Sequence, residues 1–129
     1  MHPKVKICGM KNAETIKTAI DHKVDFLGFV FYPDSPRNLT PKQAAKLTKD
    51  IPNHIGKVAV LVNETDQFIE YIKNDFDYFQ LHGNEDVKRI KEIRQKFNKK
   101  IIKVIKVTNE DSAKTYVQYG DEVDMFLFD

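Results

Sequence analysis

The sequence predicts an α/β fold in which a parallel sheet is linked by helical crossovers, and three observations carry that reading. Apolar, β-branched and aromatic runs begin near positions 4, 26, 57, 78, 101 and 123. Segments with apolar residues at helical spacing lie between them, as in a chain of linked βα units. Two of the runs end in a polar residue followed at once by glycine, Cys8-Gly9 and His82-Gly83, where a strand gives way to a turn. Two architectures share this pattern. An open, flavodoxin-like sheet has five strands, whereas a (β/α)8 barrel has eight and needs roughly 200 residues or more. Six units in 129 residues match neither count. The repeat is one of pattern, with no repeat of sequence beneath it.

Each element follows from local chemistry. In Val5-Lys6-Ile7-Cys8-Gly9, β-capable residues alternate with lysine and the run ends in the only cysteine. Asn12 caps a helix with Glu14 in its first turn and Ala13, Ile16, Ala19 and Ile20 on one face. Phe26 to Phe31 is nearly continuously apolar, as expected of a strand buried on both faces. It leads into Tyr32 to Asn38, where Pro33 and Pro36 impose a loop. Thr40-Pro41 is a cap with proline at the first helical position, opening a helix that buries Ala44, Ala45 and Leu47 and ends before Pro52. Lys57 to Val62 is the third strand, and Asn63 and Thr65 are candidate caps for a helix with Phe68, Ile69, Ile72 and Phe76 inward. Tyr78 to His82 is the fourth strand, followed by Val87, Ile90, Ile93, Arg94 and Phe97 at helical spacing. Ile101 to Val107 is the fifth, and one of Lys103 and Lys106 must face inward if it is regular. Ala113 to Tyr119 is a short helix with Gly120 as a left-handed cap, and Val123 to Asp129 is the sixth strand.

Composition narrows the function. Residues 1–129 suffice for a single domain with its own core, 41% hydrophobic and 31% charged. A net charge of +2 without a basic, aromatic-interleaved run speaks against nucleic acid. One cysteine cannot form an internal disulfide, which suits a reducing compartment. No apolar run spans a membrane and no signal-peptide core is visible, so the chain reads as cytoplasmic. There is no P-loop or GxGxxG, and the four histidines and single cysteine show no metal-ligand spacing.

Side chains alternate along a strand, so Cys8 shares a face with Lys6, His82 with Gln80 and Tyr78, and Asp129 with Leu127 and Met125. Three strands thus end in groups able to transfer a proton or hydrogen-bond, which suggests one site at the carboxyl end of the sheet. Each has a plainer alternative: Cys8 as a small buried hydrophobe, His82 as a loop brace, Asp129 as a solvated residue. Gly9 leaves room beside the sulfur for a ligand. Lys6 is expected to pair with a carboxylate inside the sheet, because an unpaired buried ammonium is unfavourable. Arg37, on a loop stiffened by two prolines, suits a carboxylate or phosphate.

Taken together, Lys4-Val5-Lys6-Ile7-Cys8-Gly9, Leu27 to Tyr32 with Ser35-Pro36-Arg37, Val62-Asn63, and Phe79-Gln80-Leu81-His82-Gly83 resemble phosphoribosylanthranilate isomerase over the whole chain and in the right order. The resemblance implies a (β/α)8 (TIM) barrel, of which 1–129 would be the first six β strands with their intervening helices. It implies the Amadori rearrangement of N-(5-phosphoribosyl)anthranilate in tryptophan biosynthesis, with Cys8 as general base and Asp129 as general acid. Arg37 would contact the anthranilate part, Gln80 and His82 would line the site, and no metal or organic cofactor would be needed. Strands seven and eight, whose loops commonly hold phosphate in barrels, are absent. The expectation is therefore an incomplete barrel, with little activity alone and with sheet edges open to self-association or a complementing chain. A flavodoxin-like binding domain is the competing reading, and strand order separates the two.

Overall fold

The computed structural model describes residues 2–129. Six strands alternate with helices: β1 (Lys6–Cys8), α1 (Ala13–Asp21), β2 (Phe26–Val30), α2 (Pro41–Thr48), β3 (Gly56–Leu61), α3 (Asp66–Ile72), β4 (Tyr78–Leu81), α4 (Val87–Phe97), β5 (Lys100–Ile105), α5 (Glu110–Ala113) and β6 (Met125–Phe128). Short 3₁₀ segments follow α3 and α5. All neighbouring strands are parallel and the order is β1-β2-β3-β4-β5-β6. A flavodoxin-like sheet would place the first and third strands side by side. Sequential neighbours are the arrangement of a barrel wall, here as six parallel strands with their helices.

The caps lie where the sequence places them. Asn12, Thr40 and Thr65 accept from the amides of Thr15, Gln43 and Phe68, and Thr40 forms a full capping box with Gln43. Asn63, the other candidate for α3, instead adopts a left-handed backbone with φ +52°. In α2 the buried residues are Ala44 and Thr48, whereas Ala45 is exposed. Thr48 satisfies its hydroxyl by donating to the Ala44 carbonyl at 2.9 Å, which lets a polar residue occupy the inner face. The helix expected over 113–119 begins earlier, at Glu110 behind an Asn109 cap, and continues as 3₁₀ turns. Gly120 lies inside those turns, with φ +53° and ψ −134°, and does not cap them.

The register separates two faces of the sheet. Leu27, Phe29, Phe31, Ala59, Leu61, Phe79, Leu81 and Ile101 turn towards the helices and form the core with residues such as Ile16, Ile69, Ile72, Phe76, Ile90 and Ile93. The pairings Cys8↔Gly28↔Val58↔Tyr78 and Val30↔Val60↔Gln80↔Ile102↔Met125 run along the opposite, inner face. Lys103 pairs with Leu81 and Phe126 on the helix side, so three residues further on Lys106 continues the inner face. No helix among the described residues is long and apolar enough to cross a membrane.

A sequence repeat does exist at the amino ends of the strands. Val24-Asp25-Phe26, Phe76-Asp77-Tyr78 and Val123-Asp124-Met125 open β2, β4 and β6. Each aspartate accepts from an amide of the preceding odd-numbered strand or the residue just before it: Val5 at 2.7 Å, Lys57 at 2.9 Å and Ile101 at 2.8 Å. Each also donates its own amide to the carbonyl of that same residue at 2.9 Å. The start of a strand is where backbone groups run out of ladder partners, and a short carboxylate supplies the missing acceptor.

Candidate active site

The inner face opens at the carboxyl end of the strands into a cavity of about 690 Å³. Cys8, Arg37, Gln80, His82 and Asp129 all line it, so the residues singled out from the sequence meet in one place. Lys6, Tyr32, Asn63 and Lys106 line it as well.

Cys8 closes β1 and is partly accessible. Its sulfur sits over Gly28 of the paired strand, where a Cβ would stand 2.9 Å from Sγ. Gly9 follows with φ +87°, a backbone that L side chains rarely adopt. The space beside Gly9 is taken by Arg37: a Cβ there would stand 2.8 Å from Arg37 Cζ. The sequence reading reserves that space for a ligand, and the arginine occupies it instead. Arg37 Nη1 donates to the Cys8 carbonyl at 3.2 Å, anchoring the guanidinium at the end of β1. The loop holds it from the other side, where Ser35 Oγ accepts from the Arg37 amide at 3.1 Å.

Lys6 does not find the expected carboxylate. Its neighbour on the same face is Cys8, two residues along the strand. Burial pushes the Lys6 ammonium below its usual range, with the nearby Cys8 acting in the opposite direction. Gln80 is buried, and its Oε1 has no hydrogen-bond partner among the described residues. An orphaned buried acceptor on a cavity wall invites a donor from a ligand. His82 Nε2 lies 3.5 Å from Asp129 Oδ2, joining the ends of β4 and β6. The backbone of Asp129 is fixed on β5, donating to the Ile105 carbonyl at 2.9 Å and accepting from the Val107 amide at 2.7 Å. Tyr32 donates to Asp34 at 2.9 Å, and that bond holds its phenol above the ordinary range.

The charge balance of the cavity is one-sided. Lys6, Arg37 and Lys106 line it, and none is in an ion pair among the described residues. Asp129 is the one carboxylate side chain on its wall among the described residues. Such a cavity suits an anionic ligand, with a thiol and a carboxyl available for proton transfer. Lys106 is a cavity residue that no motif in the sequence marks. Its even spacing from Ile102 and Val104 is the signal that places it on this face.

Comparison with known proteins bears on this arrangement. The model of the N-(5'phosphoribosyl)anthranilate (PRA) isomerase family matches residues 5–129. The chain is 37% identical over 131 residues to N-(5'-phosphoribosyl)anthranilate isomerase of Zymomonas mobilis subsp. mobilis, covering 100% of this chain and 62% of that protein. It is 41% identical over 128 residues to the Staphylococcus epidermidis protein of the same name, covering 97% and 61%. A crystal structure of phosphoribosyl anthranilate isomerase, in complex with reduced 1-(o-carboxyphenylamino)-1-deoxyribulose 5-phosphate, superimposes with a TM-score of 0.88 at 30% identity. That match covers 99% of this chain and 65% of the other. The chain thus spans about three fifths of the length of the curated relatives it matches.

Proposed function

The chain belongs to the N-(5'-phosphoribosyl)anthranilate isomerase family, and on that premise we propose that residues 1–129 are the six-strand, single-domain part of a barrel catalysing the Amadori rearrangement of N-(5-phosphoribosyl)anthranilate. The product is 1-(2-carboxyphenylamino)-1-deoxyribulose 5-phosphate, and the reaction class is that of an aldose–ketose isomerase, an intramolecular oxidoreductase. The observation that carries the reading is a cavity holding a thiol and a carboxyl at the ends of β1 and β6 beside three cations that are in no ion pair among the described residues. The substrate is anionic at both ends, through its carboxylate and its phosphate, and matches that imbalance.

In this reading Asp129 donates a proton to the furanose ring oxygen as the ring opens to a Schiff base. The Cys8 thiolate then removes the proton from sugar C2, and the enolamine tautomerises to the ketone. No electron leaves the substrate, because C2 is oxidised as C1 is reduced. Lys6 supplies a cation beside the sulfur when the thiolate forms. Arg37 meets the anthranilate carboxylate with its fork of donors. The orphaned Gln80 oxygen accepts from a sugar hydroxyl or the bridging amine, and His82 orients Asp129.

The test follows the change in anthranilate fluorescence as the rearrangement proceeds. The 129-residue chain is compared with the same chain fused to the remaining two fifths of a relative such as the Staphylococcus epidermidis protein. The fused barrel is expected to turn over and the chain alone to do so weakly, since remote phosphate binding holds such a substrate in place. A folded but inactive fusion would overturn the proposal. The outer edges of β1 and β6 have no neighbour among the described residues, and self-association or a complementing chain at those edges is included in the proposal. Size-exclusion chromatography over a concentration series reads it directly.

A further inference from the structure

We propose that the buried Glu85–Lys103 pair is the positioning element of this site, tying the loops after β3 and β4 into one rigid piece and thereby setting His82 against Asp129. The proposal rests on the assignment of Asp129 above. Neither Glu85 nor Lys103 lines the reactive cavity. They lie behind it, on the wall of a second cavity of about 530 Å³ that shares His82, Gly83, Asn84 and Lys106 with the first. Both side chains are only 3% exposed, the deepest ion pair among the described residues.

The carboxylate of Glu85 is fully used. Its Oε2 accepts from the Asn63 amide at 2.8 Å, at the end of β3. Its Oε1 accepts from the Gly83 amide at 2.9 Å, just after β4, and from Lys103 Nζ at 3.2 Å. Lys103 in turn donates to the Gly83 carbonyl at 2.9 Å. Gly83 is therefore gripped through both its amide and its carbonyl, and it directly follows His82. Asn63 closes the circuit, its Oδ1 accepting from the Asn84 amide at 2.8 Å. The loops are in contact: a Cβ on Gly83 would stand 2.9 Å from Asn63 N.

His82 hangs from this assembly. Its amide donates to the Leu61 carbonyl at 2.8 Å, and its ring reaches Asp129 at 3.5 Å. Lys103 belongs to β5, the strand whose carbonyl at Ile105 fixes Asp129. The pair thus joins the loop that carries the imidazole to the strand on which the Asp129 backbone is hydrogen-bonded. A lone buried carboxylate could not fill this place, because an unneutralised charge there is strongly unfavourable. An apolar pair could fill the volume but would leave the Asn63 and Gly83 amides without acceptors.

A merely stabilising pair and a positioning pair differ in what they do to the His82 ring. Proton–nitrogen correlation spectra of the whole chain report the His82 Nε2 signal, and Asp129→Asn displaces it by removing the facing carboxylate. In a Glu85→Gln background the same Asp129→Asn substitution is expected to displace the signal by about half or less, the mark of coupling in a double-mutant cycle. Lys103→Met is the independent arm, with the same expectation. The paired variant Glu85→Gln/Lys103→Met removes both charges at similar shape and decides the matter if the single variants do not fold. An unchanged displacement in any of these chains with native circular dichroism overturns the proposal, as does failure of all three to fold. In the fused barrel, Glu85→Gln is expected to lower kcat about tenfold with KM little changed. Inactivity of the wild-type fusion would sink the isomerase reading, while the spectra would still decide whether the pair positions the ring.

Discussion

A thiol removes a carbon-bound proton only as the thiolate, so the role given to Cys8 hangs on the acidity of one atom. Cys8→Ser keeps the shape and loses that acidity, a hydroxyl being far weaker as an acid than a thiol. The serine variant of the fused barrel is expected to lose most of its turnover and to keep its affinity for the reduced product analogue. Turnover near wild type would remove Cys8 from the mechanism. Arg37 is anchored on the Cys8 carbonyl, which leaves its other donors for a carboxylate. Arg37→Ala is expected to weaken analogue binding by about 1.5–3 kcal/mol, the scale of a charge-assisted hydrogen bond, and lysine should restore only part. Calorimetry gives the answer, and equal affinities would exclude the contact. Cys8, His82 and Asp129 were legible in the sequence because a polar residue at the end of an apolar strand is a visible irregularity. The lack of a carboxylate beside Lys6 was not, since nothing local tells whether another strand supplies one. The contact of Arg37 with Gly9 was hidden for the same reason: it joins residues 28 positions apart through the curl of a loop.

Among the elements, the even-numbered strands carry the repeated aspartate. Asp124 shows what such a residue does, because Arg94 also reaches it, with Nη1 at 2.6 Å from Oδ2. Burial alone would raise its carboxyl, but the Arg94 hydrogen bond and the Ile101 amide outweigh that and hold it below the usual carboxylate range. A carboxyl depressed in the folded state contributes stability that is complete above its unfolded value, about 3.9, and is lost as pH falls through the folded one. Asp124→Asn is therefore expected to melt below wild type at neutral pH, with the two curves converging as the pH drops past about 4. A gap of constant size across that range would show that the charge of Asp124 contributes nothing. Helix starts were readable from Asn12, Thr40 and Thr65, because a cap is a local matter of one side chain and one amide. Helix faces were less so. Thr48 replaces Ala45 on the buried side of α2, a swap decided by how the helix rolls on the sheet.

Across the whole molecule, the fold class could be read from periodicity, whereas strand order could not. Alternating βα units say that strands are parallel and leave open which strand lies beside which. The sequential order is a tertiary fact, and it alone separates a barrel wall from a flavodoxin-like sheet. The clamps at Asp25, Asp77 and Asp124 divide that wall further. Each ties the start of one odd strand to the even strand after it, and no aspartate of this kind joins β2 to β3 or β4 to β5 among the described residues. The wall can accordingly be regarded as three clamped strand pairs, of which the second and third are also joined by the Glu85–Lys103 pair, so the border after the second strand is the natural point of recombination. Chimeras with a relative joined within α2 inherit every clamp and the Glu85–Lys103 pair intact, whereas junctions within α1 or α3 can pair an aspartate from one parent with a strand register from the other, and one within α4 parts Glu85 from Lys103. Soluble yield and melting temperature across such a set are expected to favour the first group. Exchange of genetic material between members of this family would then leave its seams after the second strand, where one parental pair ends and another begins.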